Sequence, residues 1–150
     1  MLNSFLFPLT GTLLNLENCP EKIFADKTLG DGFVIKFTGN ILISPIKGVV
    51  IATFPTGHAF IIRDDKTGFE VLMHAGLKSA HKEDAFQALV KKYQRVEAGQ
   101  ALTLIKTEYF DDTNNYCPVL FADPQQKFSL KKLGENIEAG DSNAVIIVGA

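Results

Sequence analysis

Short runs of β-branched and aromatic residues, separated by glycine, proline, aspartate and asparagine, dominate the hydrophobic pattern of the chain. Many short apolar runs with frequent turn residues between them are typical of a β-sandwich or a β-barrel. We therefore predict an all-β, antiparallel sandwich or barrel that forms a single domain over residues 1–150. The strands are predicted at Phe33–Ile35, Ile41–Ile43, Val49–Phe54, Phe60–Ile62, Phe69–Met73, Ala101–Ile105 and Val145–Val148.

Apolar residues at helical spacing form one strong pattern, which predicts a helix from Asp84 to Tyr93. Its apolar face would consist of Ala85, Phe86, Leu89, Val90 and Tyr93. A weaker helix is predicted between Pro124 and Leu133. The sequences Val96–Gln100 and Ile137–Asp141 share a V/I-E-A-G pattern ahead of a predicted strand or apolar run, which indicates two related β-units.

Composition excludes several classes of protein. The net charge is −2 and there is no basic stripe, so nucleic acid is not an expected partner. No apolar run approaches the roughly 20 residues of a membrane helix, so we expect no membrane insertion. The first residues do not form a signal peptide. Cys19 and Cys117 are far apart and lack metal-type spacing, which favours a reducing compartment. Together these features predict a soluble, cytoplasmic protein.

Two histidines flank a predicted hairpin. The turn Asp64–Gly68 separates two apolar strands, and a hairpin centred on Lys66 pairs His58 directly with His74. Residues that face each other in this way point to the same side of the sheet, with Cβ atoms about 4.5–5.5 Å apart. The spacing therefore predicts two adjacent imidazoles at the open end of the hairpin.

Adjacent imidazoles suit phosphoryl transfer. A neutral imidazole is a nucleophile near neutral pH, because its unperturbed pKa is about 6.5. The second histidine can donate a hydrogen bond to the phosphoryl oxygens, and Thr56 can orient His58 through its hydroxyl. Two structural histidines at a strand end are the alternative. The pair could also bind Zn²⁺ if a partner supplied a carboxylate, since zinc usually takes three or four ligands.

Two carrier or enzyme classes remain as alternatives. Lys66 at a hairpin tip is similar to the modified lysine of lipoyl and biotinyl carriers. A metallopeptidase of related β architecture would need a His-x-His pair and a third ligand, and neither is apparent in the sequence. No glycine-rich phosphate loop and no Ser-His-Asp arrangement is evident either.

A series of motifs, in order along almost the whole chain, resembles the glucose-type enzyme IIA of the bacterial phosphoenolpyruvate-dependent sugar phosphotransferase system. Each motif alone is weak, but their order and spacing are specific. They are Pro8–Gly11, Phe24–Lys27, Leu29–Gly32, Thr38–Asn40, Ser44–Gly48, Thr56–Phe60, Gly68–Gly76, Val96–Leu102 and Pro118–Val119. The resemblance implies a duplicated β-hybrid fold with one or two short helices.

The resemblance also implies roles for individual residues. His74 would accept a phosphoryl group on Nε2 from the phosphocarrier HPr and pass it to a cysteine of a IIB domain. His58 would contact the phosphoryl oxygens, and Thr56 would hold His58. Around them the family has an acidic position, here Glu21, and an apolar docking surface. The matching apolar positions are Ile23, Phe24, Leu29, Phe54 and Leu72.

One departure from the family concerns partner binding. Lys78 stands where the family often has an aspartate that helps receive the basic HPr. This reversal of charge favours a second hypothesis, in which the protein is a regulatory module that docks a permease or kinase and signals by its phosphorylation state.

Overall fold

The computed structural model of the chain describes residues 4–77 and 84–149. Thirteen short strands account for most of the regular structure of these residues. They are β1 Gly11–Asn15, β2 Gly32–Phe37, β3 Ile41–Ile43, β4 Gly48–Thr53, β5 Ala59–Arg63, β6 Glu70–His74, β7 Phe86–Ala88, β8 Arg95–Val96, β9 Ala101–Ile105, β10 Tyr116–Phe121, β11 Lys127–Leu130, β12 Asn136–Ile137 and β13 Val145–Val148. The prediction of an all-β fold is confirmed.

Helical structure in the described residues is short. A one-turn helix, α1, spans Lys22–Ala25, and two 3-10 turns span Leu16–Asn18 and Thr107–Tyr109. Within residues 4–77 and 84–149, no helix is long and apolar enough to cross a membrane.

The strand pairs of residues 4–77 and 84–149 are all antiparallel and form three sheets. The largest sheet has eight strands in the order β12-β1-β2-β10-β6-β5-β4-β8. The second has the order β3-β9-β7, and β11 pairs with β13 in the third. The hairpin β5–β6 that carries the predicted site therefore lies inside the large sheet, where neighbours on both sides restrain it.

The two V/I-E-A-G segments occupy equivalent places in the large sheet. Val96 ends β8 at one edge and pairs with Gly48, the first residue of β4. Ile137 ends β12 at the other edge and pairs with Gly11, the first residue of β1. The shared sequence pattern thus corresponds to two edge strands that meet their neighbours in the same way.

Both predicted helices, the one based on apolar spacing at 84–93 and the weaker one at 124–133, are wrong. The segment 84–93 contains β7, which pairs with β9 and buries Phe86 in the core, and Tyr93 has a φ of +73° that no α-helix accommodates. The segment 124–133 contains β11, which pairs with β13. In both segments the strand hydrogen bonds come from residues distant in sequence, and these tertiary contacts override the local periodicity.

Strand β10 is not among the strands predicted from the sequence, and it contains Pro118 in its middle. Proline normally argues against a central strand, since it has no N–H to donate. Here the Phe121 N–H bonds the carbonyl of Asp31, just before β2, and the Ala122 N–H bonds the carbonyl of Glu70, the first residue of β6. The alternation directs the nitrogen of Pro118 towards β6, so the missing N–H affects only that side of the strand.

Strand β6 separates two apolar regions. Val71 and Met73 point into the main core, whereas Leu72 and His74 alternate onto the opposite face. A second, smaller cluster covers that opposite face, and it includes Phe24 of α1. Helix α1 therefore brings an apolar side chain over the end of β6, where His74 lies.

The predicted register of the hairpin is wrong by one residue. His74 pairs with Ala59, and the Ala75 N–H bonds the His58 carbonyl. The difference arises at the turn, because the Asp64 N–H bonds the Phe69 carbonyl and so places the centre of the hairpin between residues 66 and 67.

Candidate functional site

His74 is the last residue of β6, and its ring is held from two directions. The ring lies against Phe24, with ring centroids 5.1 Å apart. Its Nδ1 is 3.0 Å from the carbonyl oxygen of Gly76. A carbonyl can only accept, so this bond places a proton on Nδ1. In the neutral imidazole the ring-nitrogen lone pair is then on Nε2.

His58 precedes β5 and follows a tight turn. The Gly57 N–H bonds the Phe54 carbonyl at 2.8 Å, and the positive φ of Gly57 (+78°) takes the chain out of the extended conformation. His58 lies just outside β5, so its side chain need not follow the alternation of the strand. Its Nδ1 is hydrogen-bonded to the hydroxyl of Thr56. When this hydroxyl donates, the neutral ring carries its proton on Nε2.

The two histidine rings are in contact although the predicted pairing of their backbones is wrong. Their centroids are 4.8 Å apart and their planes are nearly perpendicular, at 78°. His58 is only 7% exposed and also packs against Phe54, at 5.4 Å. When Thr56 donates to His58, the two touching rings carry an unprotonated Nε2 on His74 and an Nε2–H on His58, which suits the receipt of a phosphoryl group.

The other predicted site residues fall into two groups. Ile23, Leu29 and Phe54 are 45%, 50% and 41% exposed, which is high for large apolar side chains. Phe24 is 3% exposed, so it can present little of its ring to a partner, and Leu72 is half-buried in the same cluster. The remaining two are Glu21, which is half-buried, and Lys78, which lies outside the described residues.

Sequence reasoning missed the contribution of β7. The ring of Phe86 lies 6.0 Å from that of His58, and Ala88 lies against Gly57. The apolar spacing of residues 84–93 predicts a helix with Phe86 on its apolar face, and such a helix gives no reason to place Phe86 beside His58. The Gly76 carbonyl was also missed, although a glycine two residues after His74 could have indicated a chain reversal that returns a carbonyl to the ring.

Cys117 lies next to the site but is not a second nucleophile. It is fully buried on β10, and burial raises the pKa of Cys117 to about 12, against a smaller opposing effect of the His74 backbone. The thiol is therefore protonated at neutral pH, and the reactive form of cysteine is the thiolate.

The described residues do not provide a complete metal site. No group of three or more His, Cys, Asp and Glu side chains in residues 4–77 and 84–149 is arranged to hold a metal ion. His58 and His74 can supply two nitrogen ligands, whereas zinc in proteins usually takes three or four protein ligands.

Comparison with known proteins identifies the family. The family model for the phosphoenolpyruvate-dependent sugar phosphotransferase system, EIIA 1, matches residues 3–127. The chain belongs to this EIIA family. It is 33% identical over 144 residues to the glucose-specific EIIA component of Staphylococcus aureus, a match that covers 94% of this chain and 86% of that protein.

Structural similarity supports the same assignment. The glucose permease IIA of Mycoplasma capricolum superposes with a TM-score of 0.83 at 29% sequence identity, over 95% of this chain and 94% of that chain. The glucose-specific EIIA component of Mycoplasma capricolum is 32% identical over 145 residues, which cover 94% of this chain and 93% of that protein. As an EIIA component, the protein is a transferase-type part of a sugar phosphotransferase system.

Membership of the EIIA family favours the histidine pair over Lys66 as the reactive group. Lys66 is exposed in the turn at the far end of the hairpin, where its own N–H bonds the carboxylate of Asp64. The histidine pair instead lies where rings and hydrogen bonds converge. The phosphocarrier hypothesis therefore has both the family and the local geometry in its support.

Proposed function

We propose that this EIIA protein carries a phosphoryl group on Nε2 of His74, accepting it from phospho-HPr and passing it to a cysteine of a IIB domain. The observation that carries the proposal is the contact between two imidazoles whose Nδ1 atoms are both engaged, one by the Gly76 carbonyl and one by the Thr56 hydroxyl. In this proposal Nε2 of His74 bonds the phosphorus, and Nε2 of His58 contacts a phosphoryl oxygen.

The transfer balances without a further reactant. The Nε2 lone pair of His74 attacks phosphorus, and the bond from phosphorus to the HPr histidine breaks, with its electron pair returning to that histidine. In the second step a IIB cysteine thiolate attacks, and the phosphorus–nitrogen bond to His74 breaks. His58 donates its Nε2–H to a phosphoryl oxygen of phospho-His74 and offsets the charge that develops as the group passes to IIB.

The proposal assigns no step to a metal. Transfer between histidines depends on positioning and on electrostatic stabilisation, which the fixed rings supply. Zinc binding by His58 and His74 would need a carboxylate from a partner, and we propose it only as a feature of such a complex.

We propose that Ile23, Leu29 and Phe54 contact the protein partners. Exposed apolar side chains near a polar site are typical of docking surfaces, because a partner that covers them gains buried area and excludes water. Glu21 and Lys78 would then adjust the electrostatic match, while Phe24 and Leu72 support the surface from beneath. We expect this relay to operate in the cytoplasm.

The test is reconstitution with labelled phosphoenolpyruvate, enzyme I and HPr. The wild type should take up acid-labile label, and His74→Gln should take up none. Lys66→Gln, at the other end of the same hairpin, is the matched control and should label fully. A wild type that takes no label would refute the relay. Labelling of the wild type without transfer to any IIB domain would favour the regulatory hypothesis.

A further inference from the structure

We infer that strand β7 positions His58 relative to His74, with Ala88 and Phe86 as positioning residues that act on the turn and on the ring. This inference rests on the proposed function, since it concerns the second histidine of the phosphoryl site. Strand β7 lies outside the two histidine motifs, Thr56–Phe60 and Gly68–Gly76, and its own sequence pattern predicts a helix.

The contact between Gly57 and Ala88 is the first observation. A Cβ added to Gly57 would lie 3.1 Å from the Cβ of Ala88 and 3.2 Å from its backbone nitrogen. These distances are shorter than ordinary van der Waals contact. The backbone of Gly57 therefore packs against β7 with no room for a side chain between them, immediately before His58.

The packing of Phe86 is the second observation. Phe86 is buried, and its ring lies 5.7 Å from Phe110 and 6.0 Å from His58. A ring held on one side by Phe110 restricts where the His58 ring can move. Ala88 and Phe86 are two positions apart on one strand, so both contacts come from the same face of β7.

Strand β7 is itself fixed independently of the histidines. It pairs with β9 at Phe86–Ile105 and Ala88–Thr103. The pairing extends beyond both ends of β7. The Lys106 N–H bonds the Ala85 carbonyl at 2.9 Å, and the Leu89 N–H bonds the Leu102 carbonyl at 2.8 Å. The strand can therefore serve as a reference against which the turn at Gly57 is set.

The two histidines consequently depend on different supports. His74 is held by β6, by Phe24 and by the Gly76 carbonyl. His58 is held through its neighbours Thr56 and Gly57, and Gly57 is set by β7. A displacement of β7 should move His58 and leave His74 in place. It should therefore slow delivery of the phosphoryl group to IIB without slowing its acceptance on His74.

The chain offers a matched pair of glycines to test this. Gly57 and Gly68 have nearly equal φ values, +78° and +76°, so alanine costs similar backbone strain at both. A Cβ at Gly68 meets only the end of the Arg63 side chain, at 3.7 Å, whereas a Cβ at Gly57 meets β7. The comparison of Gly57→Ala with Gly68→Ala therefore isolates the contact with β7.

We expect Gly57→Ala to shift the ring-nitrogen NMR resonances of His58 and to slow delivery of label to IIB about tenfold. Labelling of His74 should be nearly unchanged, and Gly68→Ala should alter neither readout. Adding Ala88→Gly to Gly57→Ala removes the Ala88 Cβ, the atom nearest to the new side chain. The double variant should partly restore the His58 resonances and the rate of delivery to IIB. The inference would be overturned if Gly57→Ala and Gly68→Ala gave the same His58 resonances and the same delivery rate.

A second pair of variants covers the case in which Gly57→Ala does not fold. Ala88 and Gln87 are both exposed, and the three atoms nearest to a Cβ built on Gly57 all belong to Ala88. Ala88→Val should shift the His58 resonances, and Gln87→Val should not; equal effects would refute the positioning role. The His58 resonances are measured without phosphoryl transfer. A wild type that takes up no label from phosphoenolpyruvate would therefore refute the proposed function, while the NMR comparison would still decide the role of β7.

Discussion

The two ends of the hairpin β5–β6 carry the two groups that the sequence presents as reactive, and they differ in how firmly those groups are held. At one end, His58 and His74 pack against each other and against Phe54 and Phe24. At the other end, Lys66 is exposed in a turn. The same two strands thus join an enclosed site to a solvated loop.

The difference shows why position matters more than residue type here. The turn end is stabilised by local bonds, such as those from the Lys66 N–H to Asp64 and from the Phe69 N–H to the Thr67 hydroxyl, and these restrain backbone rather than the lysine side chain. At the histidine end the bonds and ring contacts restrain the imidazoles themselves. A nucleophile that must meet a partner's phosphoryl group needs the second kind of restraint.

The largest expected effect comes from removing the second imidazole. His58→Gln should still accept label on His74 but should deliver it to IIB about a thousandfold more slowly, because a fixed donor to the phosphoryl oxygens is lost. Lys66→Gln should deliver label at the wild-type rate. Single-turnover transfer to IIB measures both, and equal rates for the two variants would remove the contrast between the hairpin ends.

The next effect separates the buried ring from the exposed ring at the histidine end. Phe24→Ala should lower the free energy of unfolding by about 3 kcal/mol, since it leaves a cavity beneath His74. Phe54→Ala, at a half-exposed position, should change stability by less than about 1 kcal/mol and weaken partner docking instead. Urea denaturation and titration with HPr distinguish the two, and similar losses of stability would contradict the assigned difference in burial.

The third effect is a pH dependence from the thiol beside the site. The folded pKa of Cys117, about 12, is above its ordinary value of 9.0. Above pH 9 the unfolded chain therefore loses this proton before the folded chain does, so stability falls as pH rises. At pH 10.5 the expected loss is about 2 kcal/mol.

Urea denaturation between pH 8 and pH 10.5 measures this loss. Cys117→Val keeps an apolar side chain of similar size, and its stability should fall less over the same range. An equal decline in the variant and the wild type would show that other groups cause the alkaline dependence.

The smallest effect concerns hydroxyls at the two ends. Thr56→Val removes the bond to His58 and should slow delivery to IIB about tenfold, or roughly 1.4 kcal/mol. Thr56→Ser keeps the hydroxyl and should restore most of the rate. Thr67→Val removes a turn hydroxyl and should leave transfer unchanged; a comparable loss in Thr67→Val would mean that the rate follows hairpin stability.

Sequence patterns identified those elements whose residues alternate or run without interruption. All seven predicted strands overlap observed strands, and the adjacency of His58 and His74 is confirmed. The predictions failed where the deciding contacts are distant in sequence. Strand β7 has helical spacing, yet it pairs with β9, and β10 contains Pro118, yet it occupies the centre of the large sheet.

The sequence by itself determined the family and the all-β class, and it led to the proposal of the two histidines and Thr56 as the site, because these depend on residue type and order along the chain. Only the tertiary structure decided how the histidines meet. The register places His74 opposite Ala59, and the rings come together through the turn at Gly57 and the strand β7 behind it. Such contacts join segments some thirty residues apart, and no local pattern of apolar and polar positions encodes them.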